Sequence, residues 1–328
     1  MAPAGLADRP RRRGLNDARN LIPSASMKKF LKYLGLALLA VAMLVGGAVA
    51  AVYVFSAQKL HRTYAVAVQV PAPPADADAI ARGRHIAQTR GCSDCHGADL
   101  GGAKVIDDPA MGRLYGPNLT RGQGGVPATM ADADWVRAIR HGVARDGHGL
   151  FLMPSADYST FTADDMGDLI AYLKSVAPVD RPSVPVSVGP VARALLLAGK
   201  IRLAADVIDH AAVRPEVVKP GVTVAYGRYL AVGCTGCHGP NFSGGKIDIG
   251  PPDWPPAQNL TPAGDLAKWT EQDFIRALRD RVRPDGTTLN EVMPAAFGRL
   301  DDTEIKALWA FLGTLPAAAT GSRPAPAR

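Results

Sequence analysis

From Tyr33 to Gln58 the chain shows neither polar alternation nor a single charge: YLGLALLAVAMLVGGAVAAVYVFSAQ, 26 positions. A helix of that length crosses the ~30 Å of bilayer hydrocarbon. Beyond it the pattern breaks into shorter runs with apolar residues at helical spacing. In DDTEIKALWAFLGTL, for example, Ile305, Leu308, Trp309 and Leu312 share one stripe. The spacing predicts middle helices over 132–143 and 271–282, and last helices over 163–176 and 301–314. Thr270 with Asp273, Thr162 with Asp165, and Asp301 with Glu304 fit helix starts, and Gly313 fits a stop. No stretch alternates convincingly with a period of two, so the expected fold class is all-α.

The same pattern occurs twice. GRHIAQTRGCSDCHGADLGGAK matches GRYLAVGCTGCHGPNFSGGK, PNLT at 117–120 matches QNLT at 258–261, and DWVRAIRHGVARDG matches DFIRALRDRVRPDG. Met153–Pro154 matches Met293–Pro294, and LIAYL at 169–173 matches LWAFL at 308–312. The first helix of each copy ends at its cysteine string. The expected layout is a basic leader over 1–32, an apolar helix over 33–58, and a proline-rich extended tether over 59–77. Repeat one follows over 78–178, a linker that packs on the repeats over 179–221, repeat two over 222–316, and a disordered tail over 317–328. Arg193, Lys200, Arg202 and Asp206 keep the linker from being a second span.

The net charge of +7 invites a nucleic-acid reading, but its location excludes it. Residues 1–32 carry eight Arg or Lys against Asp8 and Asp17, six of the seven net charges. Lys28, Lys29 and Lys32 precede the apolar run, which places the N-terminus in the cytoplasm and everything after residue 58 on the far side. An uncleaved anchor and a signal peptide cut after the AVA of residues 48–50 both export the repeats; the length of the run favours the anchor. Met27, followed by KKFLKYLG, reads as a natural start.

All four cysteines lie in GCSDCHG and GCTGCHG. Cys-x-x-Cys with an adjacent histidine reads as covalent c-type haem attachment. Two sulfurs so spaced reach one edge of the porphyrin, and the following histidine falls beneath the iron. Cys92, Cys95 and His96 therefore serve one haem, and Cys234, Cys237 and His238 a second. A zinc site shares the Cys-x-x-Cys spacing but does not explain the histidine. After His238 the chain has no further His or Cys, and Met293 is its one remaining Met, so a thioether ligand there is Met293. The repeat transfers that role to Met153. His141 and His148 are rivals, but they align with Asp280 and Thr287. A single methionine is most often core filler. These two stand 57 and 55 residues after their histidines, each before a proline that favours extended backbone. Met and His together raise a reduction potential relative to two His and leave no open iron position, which points to electron carriage.

With those residues in place, the chain resembles two tandem class I cytochrome c domains. It is similar in particular to the membrane-anchored multi-haem cytochromes that serve bacterial alcohol, sugar and aldehyde dehydrogenases. The resemblance implies that the Pro117 carbonyl accepts a hydrogen bond from His96; the second copy departs from it with Gln258 in place of the proline, where a backbone carbonyl still serves His238 with a looser loop geometry expected. It also implies that Gly83 and Gly227 let the last helix approach closely, with Tyr172 and Phe311 as aromatic partners. Arg140 and Arg279 are candidates for haem propionates or for solvated helix charge. Residues 248–259 are expected to form a stiff loop over the haem, and Trp135, Trp254, Trp269 and Trp309 to be core.

The expected function is electron transfer at the bacterial inner membrane, haem domains in the periplasm. The donor is a membrane dehydrogenase or quinol complex, the acceptor an oxidase or a soluble cytochrome or cupredoxin. The chain is then a carrier rather than an enzyme. Alternatives are a dihaem subunit of a haem–copper oxidase, a dihaem cytochrome c peroxidase, and a metal-binding or interaction module without haem.

Overall fold

The structure is a computed structural model describing residues 25–72, 74–214, 217–247, 250–251 and 253–323. Most of the basic leader, the end of the tail and residues 248, 249 and 252 of the expected haem-covering loop lie outside the described residues. The chain divides between Ala51 and Val52 into two units. The first is the greater part of α1 (Ala25–Leu60), a helix long and apolar enough to cross a membrane by length and composition. Its large apolar side chains, Leu36, Leu44 and Val45 among them, are exposed.

The second unit holds both repeats. Repeat one contains α2 (Ala77–Thr89), α3 (Cys92–His96), α4 (Asp132–His141), α5 (Ser155–Tyr158) and α6 (Ala163–Ser175). The linker forms α7 (Pro190–Leu197) and α8 (Ala204–Val207), and repeat two α9 (Val224–Ala231), α10 (Thr235–His238), α11 (Glu271–Asp280) and α12 (Asp302–Leu312). The starts follow from side-chain oxygens that satisfy the first free N–H groups. Asp76, Thr162 and Thr223 cap α2, α6 and α9, while Thr270–Asp273 and Asp301–Glu304 form reciprocal capping boxes on α11 and α12.

In each repeat the first helix crosses the last at a glycine. A Cβ on Gly83 would lie 2.0 Å from the Asp168 carbonyl oxygen and 2.8 Å from Tyr172 Cβ. A Cβ on Gly227 would lie 1.9 Å from the Ala307 carbonyl oxygen and 2.8 Å from Phe311 Cβ. The crossings bring together two separate cores. One is built on Trp135, Val136, Ile139, Met166, Leu169 and Ile170. The other is built on Phe274, Ile275, Ile305, Leu308 and Phe311. Trp269 and Trp309 pack on the second core, whereas Trp254 is exposed.

The all-α expectation needs correcting. Repeat one carries a hairpin, β1 (Ala103–Asp108) and β2 (Gly112–Gly116), and the linker adds β3 (Ser187–Val188) antiparallel to β2. Asp108 Oδ1 accepts the N–H groups of Ala110 and Met111 and so turns the chain. The register slips between Lys104 and Ile106, which removes the period-two signature a strand would show. Among the described residues the protein is helix-rich with one small sheet, and the matched place in repeat two shows a bridge from Gly245 to Ala257.

The tether is extended, as its prolines favour, but it is pinned. Thr63 bridges His148, Val68 packs on the first core, and Arg62 and Tyr64 both reach Asp206 of α8, the tyrosine hydroxyl at 2.7 Å. The linker likewise packs down. Within this unit, Arg193 of α7 donates to the buried Ser56 hydroxyl at 2.9 Å and lies 4.8 Å over the Tyr53 ring.

Candidate functional site

Both Cys-x-x-Cys-His strings are short helical turns at the end of a longer helix: α3, after Gly91 reverses the chain, and α10, entered through a 3-10 turn at Val232–Cys234. The four cysteines are of intermediate exposure. Burial pushes the thiols of Cys92 and Cys234 up to about 12. Cys92 packs on the first core, together with Met153, and Cys234 on the second.

The two histidines are held alike. His96 Nδ1 lies 2.9 Å from the Pro117 carbonyl oxygen, and His238 Nδ1 lies 2.7 Å from the Gln258 carbonyl oxygen. A carbonyl can only accept, so in both rings Nδ1 carries the proton and Nε2 of the neutral ring keeps its lone pair. Burial lowers both imidazole pKa values, which favours that neutral form. A ring so oriented, beside two thiols, fits a group bound through iron and two thioether bonds. Gln258 serves as well as Pro117 because the acceptor is backbone.

What holds those carbonyls in place is the NLT sequence that follows each. Asn118 Oδ1 accepts the Thr120 N–H and hydroxyl, both at 2.8 Å, while its Nδ2 donates to the carbonyls of Val179 at 2.7 Å and Arg181 at 3.0 Å. Asn259 Oδ1 accepts the Thr261 N–H at 2.9 Å and hydroxyl at 2.7 Å, and its Nδ2 donates to Ala318 at 2.8 Å. Each buried amide thereby ties the loop behind the histidine to the chain just past the last helix. Sequence reasoning saw NLT as a repeated string without giving it a task. Its identity in both copies was the available signal.

The methionine sides differ. Met153 is half-buried, and its carbonyl accepts the Ser155 N–H at 2.8 Å; the buried Ser155 hydroxyl donates to Ala138 at 2.8 Å. The linker covers this loop, as α8 packs on α5 and His210 Nδ1 lies 2.9 Å from His141 Nδ1. Burial, then His210, drives the His141 pKa down to about 4. His148 is engaged by Asp146 at the surface. Met293 is also half-buried, but its loop is held by Arg281, which donates to the Met293 carbonyl at 2.9 Å and the Asn290 carbonyl at 2.7 Å.

Arg140 and Arg279 also make backbone contacts that helical spacing does not predict. Arg140 is buried and donates from Nη2 to the carbonyls of Phe161 and Thr162, ahead of α6. Arg279 donates to Leu300 and pairs with Asp302, ahead of α12. Both anchor the start of the last helix, a role that needs the loop's position and is invisible in helical spacing.

The repeats meet through the attachment strings. Val232–Cys234 touches α5, Arg90 donates to the Leu230 carbonyl at 3.0 Å, and the Tyr158 hydroxyl donates to the Arg90 carbonyl at 2.9 Å. The Tyr229 hydroxyl bonds Asp165, and His85 Nε2 donates to Glu304 Oε2 at 2.7 Å. Burial raises Asp157, on this contact, to about 6, with Arg90 opposing. His85, Asp301 and Glu304 lie close enough to share an ion, but their atoms are engaged in the α12 capping box and the ion pair.

Comparison with known proteins matches residues 80–177 and 224–316 to the family model for cytochrome c. The chain is 26% identical over 276 residues to the cytochrome c subunit of the quinone alcohol dehydrogenase of Gluconacetobacter polyoxogenes, covering 74% of this chain and 57% of that one. It is 29% identical to the gluconate 2-dehydrogenase cytochrome c subunit of Pantoea cypripedii, covering 73% and 60%. It is 28% identical to a diheme cytochrome c-type protein of Cereibacter sphaeroides, covering 72% and 86%. The chain thus spans less than two thirds of the length of the dehydrogenase subunits it matches.

Proposed function

Since the chain belongs to the cytochrome c family, we propose that it is a membrane-anchored electron carrier with two covalent haems. It would take electrons from a dehydrogenase or quinol-oxidising complex and pass them to an oxidase or a soluble cytochrome or cupredoxin. The observation that carries this reading is the pair of matched histidines, each with Nδ1 on a backbone carbonyl and each beside two thiols. The names of the relatives support a dehydrogenase as donor.

In this mechanism Cys92 and Cys95 hold the first group by thioether bonds, and Cys234 and Cys237 the second. His96 and His238 would offer Nε2 to iron, and their Nδ1–H bonds to Pro117 and Gln258 fix the ring and raise its basicity. Met153 and Met293 would supply a thioether sulfur to each group. When bound, the haem contributes one-electron exchange at its iron. With a histidine and a methionine offered to each group, the reading is of a chain that would carry electrons rather than catalyse a reaction of its own. Lys28, Lys29 and Lys32 ahead of α1 support a cytoplasmic N-terminus, with the repeats in the periplasm of a bacterial inner membrane.

The test is to mature the full chain with haem-attachment machinery, fractionate membranes and assay the pyridine haemochrome. The expected result is two haems per chain in the membrane fraction, reduced by a membrane dehydrogenase with its substrate. One haem or none, or robust peroxide turnover, overturns the proposal.

A further inference from the structure

We propose that Arg281 is a positioning residue that clamps the Met293 loop and raises the reduction potential of the second centre. This rests on Met293 as the sulfur donor. Arg281 closes α11 with φ +61°, in the left-handed region. The matched residue after α4 is Gly142, at φ +64°. An L residue adopts that conformation at a cost that glycine avoids. A long cationic residue held there needs a compensating contact, and the structure supplies it.

The Arg281 guanidinium spans two carbonyls of the methionine loop, Met293 at 2.9 Å and Asn290 at 2.7 Å. The loop is itself a closed turn, since Met293 N–H returns to the Asn290 carbonyl at 3.0 Å and Val292 N–H to Asn290 Oδ1 at 3.0 Å. The Arg281 carbonyl accepts the Leu289 N–H at 2.8 Å just as the Gly142 carbonyl accepts the Leu150 N–H at 2.7 Å, so the guanidinium clamp is what repeat two adds. Repeat one reaches the same end by other means. Ser155 binds both the Met153 carbonyl and the Ala138 carbonyl, and the linker lies so close that a Cβ on Gly142 would sit 2.9 Å from Ala204 Cβ. In repeat two the residue matching Ser155 is Ala295, which has no hydroxyl. The arginine takes over the task and adds a cation on the methionine side, where it favours the less positive, reduced iron.

The experiment uses the full chain carrying both haems, with Arg281→Gly, Arg281→Lys and Met293→His, read by redox titration and by competition with added imidazole. Arg281→Gly keeps the backbone in a conformation glycine adopts freely, so it is a clean removal. It should lower the second centre's potential by about 59 mV, a tenfold shift in its one-electron ratio, and let imidazole bind that centre at tenfold lower concentration. The first centre should not change. Arg281→Lys should keep most of the potential but lose much of the resistance to imidazole, because it retains the charge without the two-carbonyl fork. If Arg281→Gly leaves both readouts within twofold of the parent while Met293→His lowers the potential, Arg281 has no positioning role. If Met293→His leaves the second centre unchanged, the ligand reading fails and this proposal falls with it.

Discussion

The histidine sides of the two repeats are built alike, and their methionine sides are not. On the histidine side, a backbone carbonyl, a buried Asn–Thr pair and a strand of chain beyond the last helix recur with distances that agree within a few tenths of an ångström. On the methionine side, repeat one relies on a serine and on linker residues, whereas repeat two relies on one arginine within its own repeat. The side that sets ring orientation is built on the same backbone contacts in both copies. The side that supplies sulfur has been braced in two ways, and that difference offers a means of giving two similar centres unequal potentials.

The comparison can be broken first at its shared element. Gly83→Ala and Gly227→Ala each drive a methyl group onto a carbonyl oxygen, and should destabilise their own repeat by about 3 kcal/mol or more. Thermal melts of the two variants should fall by similar amounts, and a large inequality would show that the crossings are not equivalent. Next, Asn118→Ala and Asn259→Ala remove a buried amide that serves two carbonyls or a carbonyl and a hydroxyl, at about 2–3 kcal/mol each. Chemical denaturation should again find the pair alike.

Smaller substitutions should separate the copies. Ser155→Ala strips a buried hydroxyl from repeat one and should cost about 1–2 kcal/mol there while leaving the second centre's potential in place. The smallest effect concerns the seam. Hydrogen bonding to Glu304 raises the His85 pKa, so the stabilisation from this pair is full below the ordinary histidine range and fades as pH rises through the raised value. With His85 about a third exposed, it is worth at most about 1 kcal/mol. Melting temperatures measured across pH 5–9 should show this slope in the parent and lose it in His85→Gln.

Much of this was legible in the chain. The middle and last helices and the caps at Thr162, Thr270 and Asp301 follow from periodicity and local chemistry, while the glycine crossings were implied by the resemblance to cytochrome c domains. The attachment strings are equally local. The hairpin was hidden because its register slips and its third strand comes from Ser187–Val188 in the linker. Arg140 was hidden because its partners, Phe161 and Thr162, are backbone groups fixed only by the fold. The string holding Asn118 repeats in both copies, but its partner Val179 belongs to a segment that composition marks merely as linker. Arg281 could be suspected only by setting it against Gly142, since an arginine gives no sign of a left-handed backbone.

The linker's return onto repeat one has a consequence for the order of synthesis. Asn118 needs Val179, β2 needs Ser187, and α5 needs Ala204 and its neighbours beside it. A ribosome making the chain from its N-terminus therefore cannot release a finished first half when residue 178 emerges. That half waits until about residue 210 has followed, by which time the second attachment string is only two dozen residues behind.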